Sequence, residues 1–104
     1  MKTLQDIKNK IAAKKELKAW ARGVKTEAKK ESEKMRYMFL DRLKSDCNYF
    51  LGYGNGCLKH LWAGEILKQI ELMKIYYNSF SLSKKPKWLK RKDIKRYKKQ
   101  MLAM

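Results

Sequence analysis

Ten of the last twenty-one residues are lysine or arginine, and only Asp93 among them is acidic. These cations are Lys84, Lys85, Lys87, Lys90, Arg91, Lys92, Lys95, Arg96, Lys98 and Lys99. They suit a surface that neutralises phosphates, where each contact releases a counterion and makes binding salt-dependent. Rings at Tyr76, Tyr77, Trp88 and Tyr97 would stack on unpaired bases wherever they are exposed. A second cationic set, Lys14, Lys15, Lys18 and Arg22, stands near the amino terminus. The plain alternative is a solvated face with Trp88 and Tyr97 in the core. It explains the spacing, but not a surplus of nine positive charges over so short a stretch.

Other chemistries find weaker footing. Cys57 and His60 have a Cys-x2-His spacing and Cys47 is a third donor, yet a structural zinc site needs four nitrogen or sulfur ligands. The chain has two cysteines and one histidine, so no metal is expected. Asp41, Asp46, Glu65, Glu71 and Asp93 form no recognisable acid–base pair, and Asp46 would join Glu65 or Glu71 in a nuclease centre only if the fold converged them. His60 has Cys57 as its sole nearby nucleophile and reads better as a packed or capping residue. Neither a catalytic residue nor a cofactor is expected. Gly52-Tyr53-Gly54-Asn55-Gly56 matches no phosphate-loop spacing and follows no strand, so it is read as a turn between helices.

The elements that must carry these residues belong to one small domain, since 104 residues allow a single modest core. No apolar run approaches the ~18 residues of a membrane span. The charged amino end lacks a secretory apolar core, which points to an intracellular protein with reduced thiols. Net charge is +17, carried almost wholly by the two ends: residues 39–83 are nearly balanced, with five cations against four carboxylates. Such an excess is relieved by a polyanion.

Leu4, Ile7, Ile11, Leu17, Trp20 and Val24 form a thin apolar stripe on a basic amphipathic helix, with Gly23 a natural break. A second helix runs from Val24 towards Gly52, burying Leu40, Leu43, Cys47 and Phe50 on one face. Spacings of three and four from Leu58 through Trp62, Ile66, Ile70, Met73, Tyr77 and Phe80 predict a helix over 57–80, ended before Pro86. Trp88 and Leu89 should dock back, ahead of a last helix from about Arg91 to Leu102 with Ile94, Tyr97 and Met101 inward. The expected fold is all-α. A basic amphipathic segment over 1–34 precedes a compact three-helix unit over 35–104 with a glycine-rich turn.

Within that unit the residues Asp46, Cys47, Tyr49–Gly52, Gly54, Asn55, Lys59, His60-Leu61-Trp62-Ala63, Gln69, Ile70, Met73, Tyr77, Asn78, Pro86, Trp88, Leu89, Asp93, Ile94, Tyr97 and Met101 form an ordered pattern over about half the chain. The pattern resembles the large polyvalent protein-associated domain 11 family, found in phages and conjugative elements. The resemblance implies a helix, a glycine turn, a His-Leu-Trp-Ala helix, a Lys-Pro-x-Trp-Leu turn and a short last helix. It implies no chemistry. Relatives usually carry a capping Thr where Lys90 stands, and Lys90, Arg91 and Lys92 put positive charge at the positive end of the helix dipole.

The expectation is a non-enzymatic, mobile-element-encoded binding protein of the counter-defence kind, such as an anti-CRISPR inhibitor. Its basic helices would bind RNA or DNA, or the nucleic-acid-binding surface of a host nucleoprotein defence complex. The alternative is an adaptor that uses its first helix for self-association or partner docking, and homo-oligomers stay open.

Overall fold

A computed structural model describes the backbone of residues 4–104, with side chains at Lys8 and from residue 12 onward. The expected positions of Leu4, Ile7 and Ile11 side chains therefore lie outside the described residues. Four helices follow one another: α1 (Leu4–Lys30), α2 (Glu33–Leu51), α3 (Ile66–Asn78) and α4 (Arg91–Leu102). Short 3-10 turns occupy Leu58–His60 and Leu82–Lys84. The fold is all-α.

The first helix does not break at Gly23. It runs on to Lys30 because glycine inside a helix costs only about 1 kcal/mol, less than the stripe of Leu17, Trp20, Ala21, Val24 and Ala28 contributes by settling on α3. The break falls at Ser32, which is extended and accepts the Met35 N–H on its Oγ at 3.2 Å. Serine is among the best residues for that role, because its oxygen satisfies an otherwise unpaired amide of the first turn.

α2 buries Leu40, Leu43, Cys47 and Phe50 as its spacing requires. It ends at Gly52, and the chain reverses through Asn55 (φ 45°) and Gly56 (φ 77°). Gly54 is buried in this turn, its N–H donating to the Tyr49 carbonyl at 2.7 Å. A Cβ there would sit 2.8 Å from that same carbonyl oxygen.

The helix expected from Cys57 does not begin until Ile66. Apart from the 3-10 turn, residues 57–65 are irregular, and the His60-Leu61-Trp62-Ala63 segment is not α-helical. Side chains from the flanking helices take over the hydrogen bonds a helix would have made. Asp46 Oδ2 accepts the Trp62 N–H at 3.2 Å, and Gln69 Oε1 accepts the Ala63 N–H at 3.0 Å. Gly64, at φ 77°, completes the path and lets Leu61 reach the core. Satisfied in this way, the loop has no need of the helical alternative.

α3 is the central helix, packed against α1, α2 and α4. Arg36 at the start of α2 bonds to Ser79 beyond the end of α3, while Leu43 bonds to Gln69 near its start, so the two run antiparallel. Cations close the carboxyl end of α3: Arg36 Nη1 donates to Ser79 O at 3.0 Å, and Lys85 Nζ to Tyr77 O and Phe80 O at 3.0 and 2.9 Å. That placement complements the helix dipole. Pro86 and Leu89 are buried, but Trp88 is 40% exposed, so only Leu89 fully docks. α4 turns Ile94, Tyr97 and Met101 inward. Lys90 offers no side-chain cap; Asp93 Oδ2 instead accepts the Lys90 N–H at 2.9 Å and sets a carboxylate in the first turn, where it complements the helix dipole.

Two glycines should respond to alanine in opposite directions. Gly54→Ala should destabilise the fold by about 1–3 kcal/mol through the clash with Tyr49. Gly23→Ala, where nothing lies within 4 Å of the added carbon, should stabilise it by up to about 1 kcal/mol. Urea denaturation of both variants checks the pair.

Candidate nucleic-acid interface

Docking α1 across α3 leaves a groove between them with a volume of ≈ 900 Å³. One wall is a stripe of α1 at spacings of three and four: Lys14, Lys18, Arg22, Lys25 and Lys29, with Leu17, Ala21 and Ala28 at its floor. The other wall carries Lys74, Ile75, Asn78 and Ser79, and Arg36 closes one end. Among the described residues Glu71 is the one carboxylate in the lining, and it pairs with Lys74 at 3.4 Å. Seven cations thus face a single anion.

Lys74 also lines two smaller hollows between α3 and α4. The first adds Tyr77, Asn78, Arg91, Ile94 and Lys95. Its neighbour adds Ile70, Lys98, Lys99 and Leu102. The cationic surface is therefore continuous from α1, over α3, to one side of α4, with Lys74 at its centre. Both charged ends of the sequence meet there.

The predicted cations divide accordingly. Lys14, Lys18, Arg22, Arg91, Lys95, Lys98 and Lys99 line this surface, whereas Lys15, Lys87, Lys90 and Lys92 are exposed outside it. Lys84 pairs with Glu33 at 3.2 Å and its carbonyl accepts the Tyr37 hydroxyl. Lys85 caps α3, and burial, then the nearby Arg91, lowers its pKa. Arg96 lies over the Tyr97 ring, 4.8 Å from its centre, beside Asp93. Lys25, Lys29, Arg36 and Lys74 were not among the predicted residues. The helical stripe from Lys14 to Lys29 was visible, but reading Gly23 as a break cut it in two.

The expected stacking rings are mostly unavailable. Tyr76, Tyr77 and Tyr97 are buried. Burial raises the Tyr76 pKa, with Glu31 adding to it; Tyr97 is raised chiefly by burial, against lowering by Arg96 and the Asn48 hydrogen bond. Trp88 is half-exposed with Lys44 Nζ 5.5 Å from its ring centre. Exposed rings occur instead at Tyr49 near the end of α2, at Tyr53 on the glycine turn and at Trp62 in the loop before α3.

Nor do the candidate ligands and carboxylates converge. Among the described residues no three of His, Cys, Asp and Glu are placed to hold a metal ion. Asp46 is taken up by Arg42 and the Trp62 amide, and Asp93 caps α4. His60 is exposed, edge-on to Tyr49 at 4.7 Å. Cys47 is buried, 3.5 Å from the Met73 sulfur, and Cys57 is a half-buried free thiol. Burial, reinforced by Asp46 and opposed by a Gln69 hydrogen bond, pushes the Cys47 thiol up to about 12.

Among protein families, the model of large polyvalent protein-associated domain 11 matches residues 33–101. No curated protein and no solved structure matches the chain. Among the described residues, no helix is long and apolar enough to cross a membrane.

Alkylation of the native protein at about pH 8 should modify Cys57 and spare Cys47, because only the thiolate reacts; mass mapping reads this directly. A thiol pKa raised on folding stabilises in full below the unfolded value of 9.0 and ceases to as pH climbs towards about 12. The stability advantage of the wild type over Cys47→Ala should therefore shrink across that window, as urea midpoints of the two at matched pH would show.

Proposed function

This chain belongs to the large polyvalent protein-associated domain 11 family, and we propose that it is a non-enzymatic protein that binds nucleic acid along the α1–α3 groove and the adjoining face of α4. The observation that carries this reading is the groove itself, where Lys14, Lys18, Arg22, Lys25, Lys29, Arg36 and Lys74 surround one carboxylate. Like charges so gathered repel one another, and a phosphodiester backbone removes that cost while releasing counterions. The groove is also open and lined by fixed helices, so its cations are presented before any ligand arrives.

Membership in the family gives the chain a phage-associated setting. In that setting the reading extends to counter-defence in the cytoplasm of a bacterial host. The protein would occupy the nucleic acid on which a host nucleoprotein complex depends, such as a guide RNA. An adaptor that self-associates through its first helix is less well supported. The described part of that helix's apolar stripe lies against α3, with Ala28 2% exposed and Leu17, Trp20 and Val24 half-buried.

A salt series with labelled oligonucleotides tests the reading. Affinity should fall linearly in log–log form, with each lysine contact contributing about 0.7–0.9 to the slope. Lys25→Gln with Lys74→Gln should flatten the slope by one to two contacts and weaken binding. Lys87→Gln with Lys92→Gln, which removes equal charge outside the groove, should do clearly less. Equal losses in the two double variants would mean that charge alone, not the groove, attracts the ligand.

A further inference from the structure

Three aromatic side chains gather around the glycine turn: Tyr53 on the turn itself, Tyr49 in the last turn of α2 and His60 in the 3-10 turn beyond it. Tyr53 is 95% exposed and Tyr49 46% exposed, with ring centres 6.5 Å apart and planes inclined by 35°. Tyr49 in turn meets the His60 ring edge-on, at 75°. The backbone beneath them is fixed: Gly54 is buried, hydrogen-bonded to Tyr49, and closed in by Tyr49 Cδ1 at 3.0 Å and His60 Cδ2 at 3.1 Å from the place of a Cβ. So the turn requires its glycine, while nothing in the fold requires the ring at Tyr53.

The end of the basic helix α4 packs on this turn. Met104, two residues past Leu102, brings its Cε to 3.4 Å from the place of a Cβ on Gly56. Tyr97 of α4 donates to Asn48 Oδ1 at 2.8 Å, next to Tyr49. The carboxyl end of α4, the helix that carries Lys95, Lys98 and Lys99, thus meets the turn that holds Tyr53. A lone exposed tyrosine needs no explanation; a supported group of rings at the end of a basic helix suggests a ligand with aromatic faces as well as charge.

We propose that Tyr53, backed by Tyr49 and His60, is a stacking platform for an unpaired nucleobase, so that the ligand of the cationic surface is a single-stranded nucleic acid. The inference rests on the nucleic-acid reading of the groove and sharpens it. In a duplex both faces of a base are covered by its neighbours, and the platform would stand idle. In a single strand the backbone can follow the cations while a base turns onto the ring. Held by little packing, Tyr53 can rotate to complete the stack. Shared by RNA and DNA, this chemistry leaves the sugar to be distinguished by experiment.

The test is equilibrium binding of the full chain to labelled oligonucleotides of about 12 nucleotides, as single-stranded RNA, single-stranded DNA and duplex DNA. Tyr53→Ala should weaken single-strand binding about 5-fold or more and leave duplex binding unchanged. Tyr53→Phe, which keeps the ring, should bind as the wild type does. Unchanged single-strand affinity in Tyr53→Ala would overturn the platform while leaving the groove reading intact. If the wild type binds none of the three at low salt, the groove reading falls and the platform with it. Because Tyr53 is so exposed, matching urea midpoints should show that the alanine variant folds normally.

Discussion

Gln69 holds the architecture together. It is the one buried polar side chain among the described residues, wholly inaccessible at the start of α3. Its Nε2 donates to the Leu43 carbonyl of α2 at 3.3 Å, and its Oε1 accepts the Ala63 amide of the preceding loop at 3.0 Å. A buried amide is costly unless its groups are paired, and here both ends are used. That pairing sets the register of α3 against α2 and stops the loop from winding into helix. Everything functional follows from where α3 then lies. Lys74 stands between the α1 groove and the α4 hollows because it is five residues further along the helix that Gln69 anchors.

The charge of the molecule is managed by position rather than by pairing. Twenty-seven cations meet ten carboxylates, and the ion pairs that form are exposed or half-exposed, each worth about 0–1 kcal/mol at most. Several carboxylates and cations are instead spent on the fold: Asp93 and Asp46 satisfy backbone amides, while Arg36 and Lys85 close the end of α3. Of the rest, Lys14, Lys18, Lys25 and Lys29 are left facing one another and Lys74 along the α1–α3 groove. In a protein with so small a core that is an expensive arrangement, and it is concentrated where two helices form a groove.

Much of this was legible in the residues. The all-α class, the inward face of α2, the glycine turn and the whole of α4 follow from apolar spacings of three and four and from where glycine and proline stand. What misled was context. Gly23 reads as a break only while helix propensity is considered alone, since the packing of α1 on α3 lies beyond any local signal. The helical spacing from Leu58 to Ile66 was real in the sequence, but it was overruled by Asp46 and Gln69, which bind the loop from sixteen and six residues away. The site suffered from the same error: once the first helix was divided at Gly23, its cationic stripe lost half its length. The rings at Tyr76, Tyr77 and Tyr97 shared one spacing with the core, and the core claimed them.

The groove and the docking of α1 are energetically one problem. Ala28 is buried, and Leu17, Trp20, Ala21 and Val24 are only half-buried, so α1 is held to α3 by a narrow apolar seam. Along that seam five of its cations face Arg36 and Lys74, across an opening where Glu71 is the one carboxylate among the described residues. Repulsion opposes the contact that hydrophobic burial favours. An anion placed between the walls reverses the sign of the electrostatic contribution, so whatever binds there also fastens α1 to the three-helix unit. By mass action a ligand that binds the docked form stabilises it, and added salt, by screening the same charges, weakens the ligand's hold and the repulsion together. A net charge this large in a chain this short therefore sets the α1–α3 contact against a repulsion that an anion in the groove would relieve.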